Sequence, residues 1–453
     1  MDLTEQKKIL EIMNGYVASK DWNGCLKELQ AETSIPARFQ GRVSILRQLA
    51  YVYQKAAQAA QYHNRCLKLA VQAYEAILAV PGPEGHSGAY KGLAYLYYNE
   101  YISYYMWQRQ IGGKLIFTKA HCSQKAEELL KTILVSGGDI SYLYRYAYLI
   151  YRLAGDYTMM QGADVIHSKK EKAYQLYRQV IRTYEAEQDI ELQKSWRRTY
   201  IKSCYGLVRC GLDLIASHSS IAREISLLFS LDLPDFGLLK EKKERLRDII
   251  YSIDRVRQAE QLPVQIDNME AIVHSQQEIE KSWDVYYSMG KIYDFAFQYA
   301  LLPDRDDCFQ KAKKYYSYAC DIDRIRREKK LPVPGFRHMY HALLMLYLRG
   351  RDETGFREAR RTYSAVMKPD EFRDLLYTVR WHCLKREYQQ ARETLLRYMM
   401  TSRQMKSGQK KQLDLLLDLL DVIDGADIRQ YTPRYTAGQV RLFVKLQHLR
   451  LAE

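Results

Sequence analysis

The chain lacks any strict alternation of apolar and polar residues long enough to build a sheet, and it holds only 10 prolines and 23 glycines in 453 residues. Both absences leave helix as the dominant local structure. Nowhere does it offer about 18 consecutive apolar residues, the length a bilayer-spanning helix needs, and Met1 to Leu10 holds no apolar core of signal-peptide size. A cytoplasmic protein is expected. The eight cysteines, Cys25, Cys66, Cys122, Cys204, Cys210, Cys308, Cys320 and Cys383, form no Cys-x-x-Cys pair and no regular framework. Reduced, buried thiols fit that pattern.

Chemical signatures are missing as well. Gly112-Gly113-Lys114 has neither the earlier Gly nor the hydroxyl residue with which a phosphate loop cradles phosphate and magnesium. There is no Gly-x-Ser-x-Gly elbow and no His-Glu-x-x-His. His338 and His341 stand one helical turn apart, as two metal ligands could, but no third ligand is indicated, so they read as surface or groove histidines. His382 and Cys383 are adjacent and project from different helix faces, so a Cys/His dyad would need a distant partner. Asp304-x-Asp306-Asp307 follows Pro303 and reads as a helix start, where carboxylates cap free amides and favour the dipole. No cofactor and no metal is implied, and a non-enzymatic protein is expected; a composite active site built from distant repeats is what spacing alone does not reveal.

What the chain has in excess is tyrosine, 39 against 11 phenylalanines, and positive charge, a formal +15. A Tyr in a core must place its hydroxyl on a partner, so these rings are expected at helix seams with the oxygen reaching the rim. The charge suggests an anionic partner or serves solubility.

The most informative feature is a recurring pair of signatures. The first half reads Leu46-x-x-Leu49-Ala50-x-x-Tyr53, Tyr90-x-x-Leu93-Ala94-x-x-Tyr97, Tyr144-x-x-Ala147-Tyr148-x-x-Tyr151, Tyr286-x-x-Met289-Gly290-x-x-Tyr293 and Tyr340-x-x-Leu343-Leu344-x-x-Tyr347. The matching second halves are Ala70-x-x-x-Tyr74-x-x-Ile77, Ala126-x-x-x-Leu130-x-x-Ile133, Ala173-x-x-x-Tyr177-x-x-Val180, Ala312-x-x-x-Tyr316-x-x-Ala319 and Ala359-x-x-x-Tyr363-x-x-Val366. Ala391-x-x-x-Leu395-x-x-Tyr398 follows a degenerate first helix near Leu375 to His382. These intervals put the large residues on one helix face, and the small Ala lets a second helix approach closely. The run from about Gly41 to Met400 resembles the tetratricopeptide repeat family, whose unit is a helix pair carrying this double signature.

The resemblance implies an all-α, right-handed solenoid of stacked antiparallel helix pairs. The period departs from the family's tight repeat of about 34 residues, since Ala126 to Ala173 and Ala312 to Ala359 each lie 47 residues apart. Longer loops account for that, and HEAT or armadillo arrays of helical pairs have similar periods. Ile253-Asp254-Arg255-Val256-Arg257 with Leu262-Pro263-Val264 is echoed 69 residues later by Ile322-Asp323-Arg324-Ile325-Arg326 with Leu331-Pro332-Val333, a sign of duplication.

The expected organisation is capping helices over residues 1–40, a first repeat block over 41–216, a hinge and long charged helix over 217–265, a second block over 266–403 and capping helices over 404–453. His218-Ser219-Ser220 and Leu233-Pro234-Asp235 mark the turns of the hinge. Leu413, Leu416, Leu417, Leu420 and Ile423 form an apolar stripe at helical spacing, and Leu442, Phe443, Leu446 and Leu449 read as one side of a terminal cap rather than a membrane-surface helix.

In the tetratricopeptide family the first helix of each pair lines a concave groove. Carried onto this chain, the groove-facing positions include Arg47, Lys55, Lys91, Tyr95, Asn99, Tyr142, Arg145, Arg152, Tyr287, Lys291 and Arg349. Of the 30 such positions read over five repeats, seven are Arg or Lys and two are Asp, so the groove is expected to be basic and aromatic. The family's clamp for C-terminal carboxylates is not reproduced, because Tyr146 falls where its second Asn would stand. Tyr101, Tyr104, Tyr105 and Trp107 extend the second groove helix; such a run suits base stacking and suits the core of a neighbouring repeat. The expected role is a scaffold or adaptor that holds a protein segment, acidic or extended, in the groove. Single-stranded nucleic acid on the same surface is the competing partner, and a peptide-sensing regulator is a third reading. The oligomeric state stays open.

Overall fold

Helix pairs form here because each signature leaves one face apolar along its whole length. In the first repeat Leu46, Leu49, Ala50 and Tyr53 are all fully buried, and so are their counterparts Ala70 and Ile77 on the next helix. The computed structural model describes residues 2–58, 63–103, 118–156, 163–215, 243–261, 276–330, 338–366, 371–402, 405, 407–431, 433–435, 440–444 and 446–447. Among these there is no strand. The chain divides into two units, Met1–Ala186 and Glu187–Glu453. The expected hinge turns at His218 and Leu233, the Pro263 and Pro332 parts of the duplicated segment, and Tyr104, Tyr105 and Trp107 lie outside the described residues.

The first unit runs α1 (Leu3–Ser19), α2 (Trp22–Glu28), α3 (Val43–Gln58), α4 (His63–Leu78), α5 (His86–Ser103), α6 (Lys119–Val135), α7 (Ile140–Asp156) and α8 (Ala163–Ala186). Asp21 starts α2 by accepting a hydrogen bond from the Gly24 amide at 2.9 Å, which satisfies one of the free donors of that helix end. Each helix packs on the next, and α3 also touches α5, as α5 touches α7. First helices therefore stand side by side with second helices behind them, an all-α solenoid arrangement.

The second unit runs α9 (Ile190–Ile215), α10 (Lys243–Gln261), α11 (Gln276–Gln298), α12 (Arg305–Glu328), α13 (His338–Arg349), α14 (Glu353–Val366), α15 (Glu371–Leu384), α16 (Tyr388–Thr401) and α17 (Ser407–Ile423). α9 packs on α10 and α11; from there the pairs α11/α12, α13/α14 and α15/α16 stack with first helices again in contact. The turns inside these pairs are short. They close with Ala300, Arg351 and Arg386 in the left-handed region, at φ of 48°, 54° and 61°, so that the Asp352 and Glu387 amides reach back to the Tyr347 and His382 carbonyls, a Schellman closure. Asp304 caps α12 by accepting from the Asp307 amide at 2.8 Å. Leu413, Leu416 and Leu420 are buried on α17, and Leu442, Phe443 and Leu446 are buried with Phe443 edge-on to Tyr431 and Tyr435, so the terminal helix seals this unit.

Four tyrosine hydroxyls show how the seams supply partners, although the buried Tyr363 hydroxyl has none among the described residues. Tyr53 donates to the Ala31 carbonyl at 2.6 Å, Tyr316 to Asp294 at 3.0 Å, Tyr340 to Asp323 at 3.0 Å and Tyr435 to Asp418 at 2.6 Å. All eight cysteines are buried. Burial pushes the Cys25 and Cys308 thiols up to about 11, so they stay protonated at neutral pH and are poor nucleophiles.

The seam between α11 and α12 is tightest at Gly290, where a Cβ would stand 2.5 Å from Cδ1 of Tyr316. That ring is fully buried and held by Asp294, so it has nowhere to retreat. Gly290→Ala is expected to lower stability by about 1–2 kcal/mol, overpacking outweighing the better helix propensity of Ala. Gly155→Ala on α7, with nothing within 4 Å of its Cβ, is expected to raise stability by up to about 1 kcal/mol. Urea unfolding followed by circular dichroism checks both, and equal effects of the two substitutions would refute the tight seam.

Candidate functional site

The first helices of the first unit bring the expected residues together. Arg47 of α3 is exposed and lies across Gly88 of α5, its Cδ 3.8 Å from where a Cβ would stand. One turn on, Lys91 is exposed and its ammonium sits 5.8 Å over the ring of Tyr142 on α7. Arg145 bridges two helices, its guanidinium 5.1 Å over Tyr142 and 5.4 Å over Tyr95 of α5. Towards the N-terminal end Lys55 stands 5.5 Å over Tyr51, whose ring meets Trp22 edge-on at 6.2 Å. Tyr51 and Tyr95 keep 38% and 37% of their surface open, unusual for large rings in this chain.

Each ring–cation contact is worth roughly 0.5–1 kcal/mol at an exposed site, which helps to order Lys91 and Arg145. Burial pushes the Tyr142 phenol above its ordinary value against the opposing pull of Arg145, so it remains a neutral donor. Asn99 and Arg152 are half-buried at the far end of α5 and α7, and Arg152 is already engaged with neighbours. The 18 groove positions read for these three helices hold five cations and no carboxylate. Tyr98 and Tyr101 turn inward and are buried, so the described part of that aromatic run is core.

The second unit treats its positions differently. Lys291 stands 5.7 Å over Tyr287, which meets His338 edge-on at 5.1 Å. Arg349 points inward instead: its Nη2 lies 2.5 and 2.6 Å from the two carboxylate oxygens of Asp294, which is 2% exposed and also accepts from Tyr316. Asp294 is therefore a core carboxylate rather than an acid on the face, and Arg349 is its counter-ion.

Sequence reasoning missed Arg373 and Arg380, because the first helix that carries them has a degenerate signature. Both gather with Lys291 and Arg349 around His341, whose Nδ1 shares a hydrogen bond with the Tyr377 hydroxyl. Burial, reinforced by those four cations, pushes the imidazole down to about 3. His341 is thus neutral at physiological pH. Among the described residues no three His, Cys, Asp or Glu side chains are placed to hold a metal, and His338 and His341 face different neighbours. No helix among the described residues is long and apolar enough to cross a membrane.

The chain is an all-α helical repeat protein. No family profile matches the sequence, and no curated protein matches it. Among solved structures it is similar to one described as a circular tandem repeat protein with novel repeat topology and enhanced subunit contact surfaces, at 12% identity and a TM-score of 0.25, over 98% of this chain and 89% of that one. A likeness at that score fixes no fold, and the repeat reading stands on the chain's own packing.

Two outcomes follow from the geometry. Because the native state holds His341 unprotonated down to about pH 3 while the unfolded chain takes up its proton near pH 6.5, the unfolded state binds more protons between those values. Stability contributed by this site is complete above about pH 6.5 and falls as pH drops, by at most about 1.4 kcal/mol per unit. His341→Gln is expected to flatten that part of the stability–pH curve measured by urea unfolding; an unchanged curve would contradict the assignment. Arg349→Ala leaves Asp294 buried without its cation and is expected to cost about 3–5 kcal/mol, whereas an effect under about 1 kcal/mol in the same measurement would return Arg349 to the surface.

Proposed function

We propose that this chain is a non-enzymatic, cytoplasmic scaffold or adaptor, a divergent tetratricopeptide-like repeat protein that captures an acidic, extended protein segment on the first-helix face of its first unit. The observation that carries the reading is the ladder of Arg47, Lys91 and Arg145 across α3, α5 and α7, interleaved with Tyr51, Tyr95 and Tyr142. Cations held over rings on rigid helices are ordered before the partner arrives, which lowers the entropy cost of binding. Guanidinium and ammonium groups then supply charge-assisted hydrogen bonds to carboxylates, and the open Tyr rings supply contact area with two χ angles each. The absence of carboxylates from these positions removes the repulsion an acidic segment would otherwise meet.

The same open rings beside cations favour single-stranded nucleic acid as a second reading, by base stacking and counterion release. The acidic segment is preferred because the Arg145 guanidinium lies over the rings of Tyr95 and Tyr142, on the side where a base would have to stack.

Fluorescence anisotropy with a labelled Glu-rich peptide, a Lys-rich peptide of equal length and a single-stranded oligonucleotide tests this. The Glu-rich peptide is expected to bind, and Arg145→Glu or Lys91→Glu to weaken it by about tenfold or more with helicity unchanged. No preference between the two peptides, or indifference to both substitutions, would overturn the reading. Tighter binding of the oligonucleotide with a steep salt slope would assign the face to nucleic acid instead.

A further inference from the structure

A second feature of the chain lies in the second unit and plays no part in the first-helix ladder. Between the C-terminal turns of α12 and the last two turns of α14 is a cleft of about 710 Å³, lined by Arg324, Arg327, Glu328, Lys330, Arg361, Thr362, Ala365 and Val366. That size lies within the range of roughly 300–1,000 Å³ occupied by small-molecule sites. Four of its eight lining residues are cations against one carboxylate.

The arrangement is built rather than incidental. Arg327 is fixed by Asp323, its Nε 2.8 Å from a carboxylate that is 1% exposed and that also accepts from Tyr340. Arg324 is fixed between Asp321 at 3.2 Å and Glu328 at 3.1 Å, so the one carboxylate of the cleft is already matched. Lys330 and Arg361 make no ion pair among the described residues and are exposed. Two cations are therefore left over. Thr362 donates its hydroxyl to the Glu358 carbonyl at 3.1 Å, and Ala365 and Val366, on the same helix as Arg361, add an apolar wall to the lining.

From these features we infer that the cleft is a binding site for a soluble organic polyphosphate of nucleotide size. Planar guanidinium groups pair with phosphate oxygens through two parallel hydrogen bonds, and a lysine adds a point charge. The excess of two cations calls for a ligand with more than one negative charge, and the wall of Ala365 and Val366 calls for an apolar portion beside it. Free carboxylates fit less well, since a single carboxylate would leave one of Lys330 and Arg361 unmatched.

Isothermal titration calorimetry on the full chain at physiological salt, with ATP and with inorganic tripolyphosphate as probes, tests the site. Saturable binding of both is expected, ATP the tighter. Arg361→Glu and Lys330→Glu, exposed substitutions that leave the Asp323 network intact, are each expected to weaken ATP by about tenfold or more, and Arg145→Glu in the first unit to leave it unchanged. Absence of binding by either probe, or ATP binding indifferent to both cleft substitutions, would overturn the inference. Tripolyphosphate bound as tightly as ATP would overturn the role of the apolar wall. Because the ladder variant is the control, this result and that of the peptide experiment fail independently.

Discussion

The close approach of two helices at a small residue is the constraint on which the second unit depends. Where Gly290 carries no side chain, the ring of Tyr316 lies against the backbone of α11, and its hydroxyl is carried to a place that water does not reach. A buried hydroxyl needs a partner. Asp294 supplies it, and a buried carboxylate in turn needs a cation, which is Arg349. One missing Cβ thus leads through a ring and a carboxylate to a guanidinium 55 positions beyond that carboxylate in the chain.

Among the described residues of the second unit the same solution is used three times. Tyr340 and Arg327 meet on Asp323, and Tyr435 and Arg434 meet on Asp418, the last at 2.6 and 3.3 Å. A chain rich in Tyr can satisfy its hydroxyls on core carboxylates only if it also provides the arginines to balance them. Part of the positive charge is for this reason structural, and it counts neither towards solubility nor towards a partner. The first unit differs. Its Tyr53 donates to a backbone carbonyl, its first-helix face holds no carboxylate in the positions read, and its cations rest on rings instead. Cations matched to π-faces retain their full charge for a ligand, because a ring's quadrupole does not neutralise them.

The helices and their buried faces were legible in the sequence. Leu46, Ala70, Tyr177, Tyr293 and Leu395 all fall inside as their spacing predicts, since i, i+3 and i+4 positions share a face whatever the helix packs against. The family resemblance put Tyr95, Tyr287 and Lys291 among its groove positions; in the structure Tyr95 is partly open and Lys291 stands over Tyr287. Less legible were the residues whose role is set by a neighbour on another helix. Arg373 and Arg380 escaped because their helix keeps Leu375 and Tyr377 without the rest of the motif. Arg349 and Asp294 read as two groove positions of opposite sign, although they cancel each other. The cleft beside Arg361 has no local signature at all.

The sequence by itself determined that the chain is helical and which face of the signature-bearing helices turns inward, because these follow from side-chain periodicity within a few residues. Only the tertiary structure decided which charges remain available. Pairing between helices joins residues that are tens of positions apart, and whether a guanidinium meets a carboxylate, a ring or solvent depends on the crossing of the helices that carry them, which no local interval encodes.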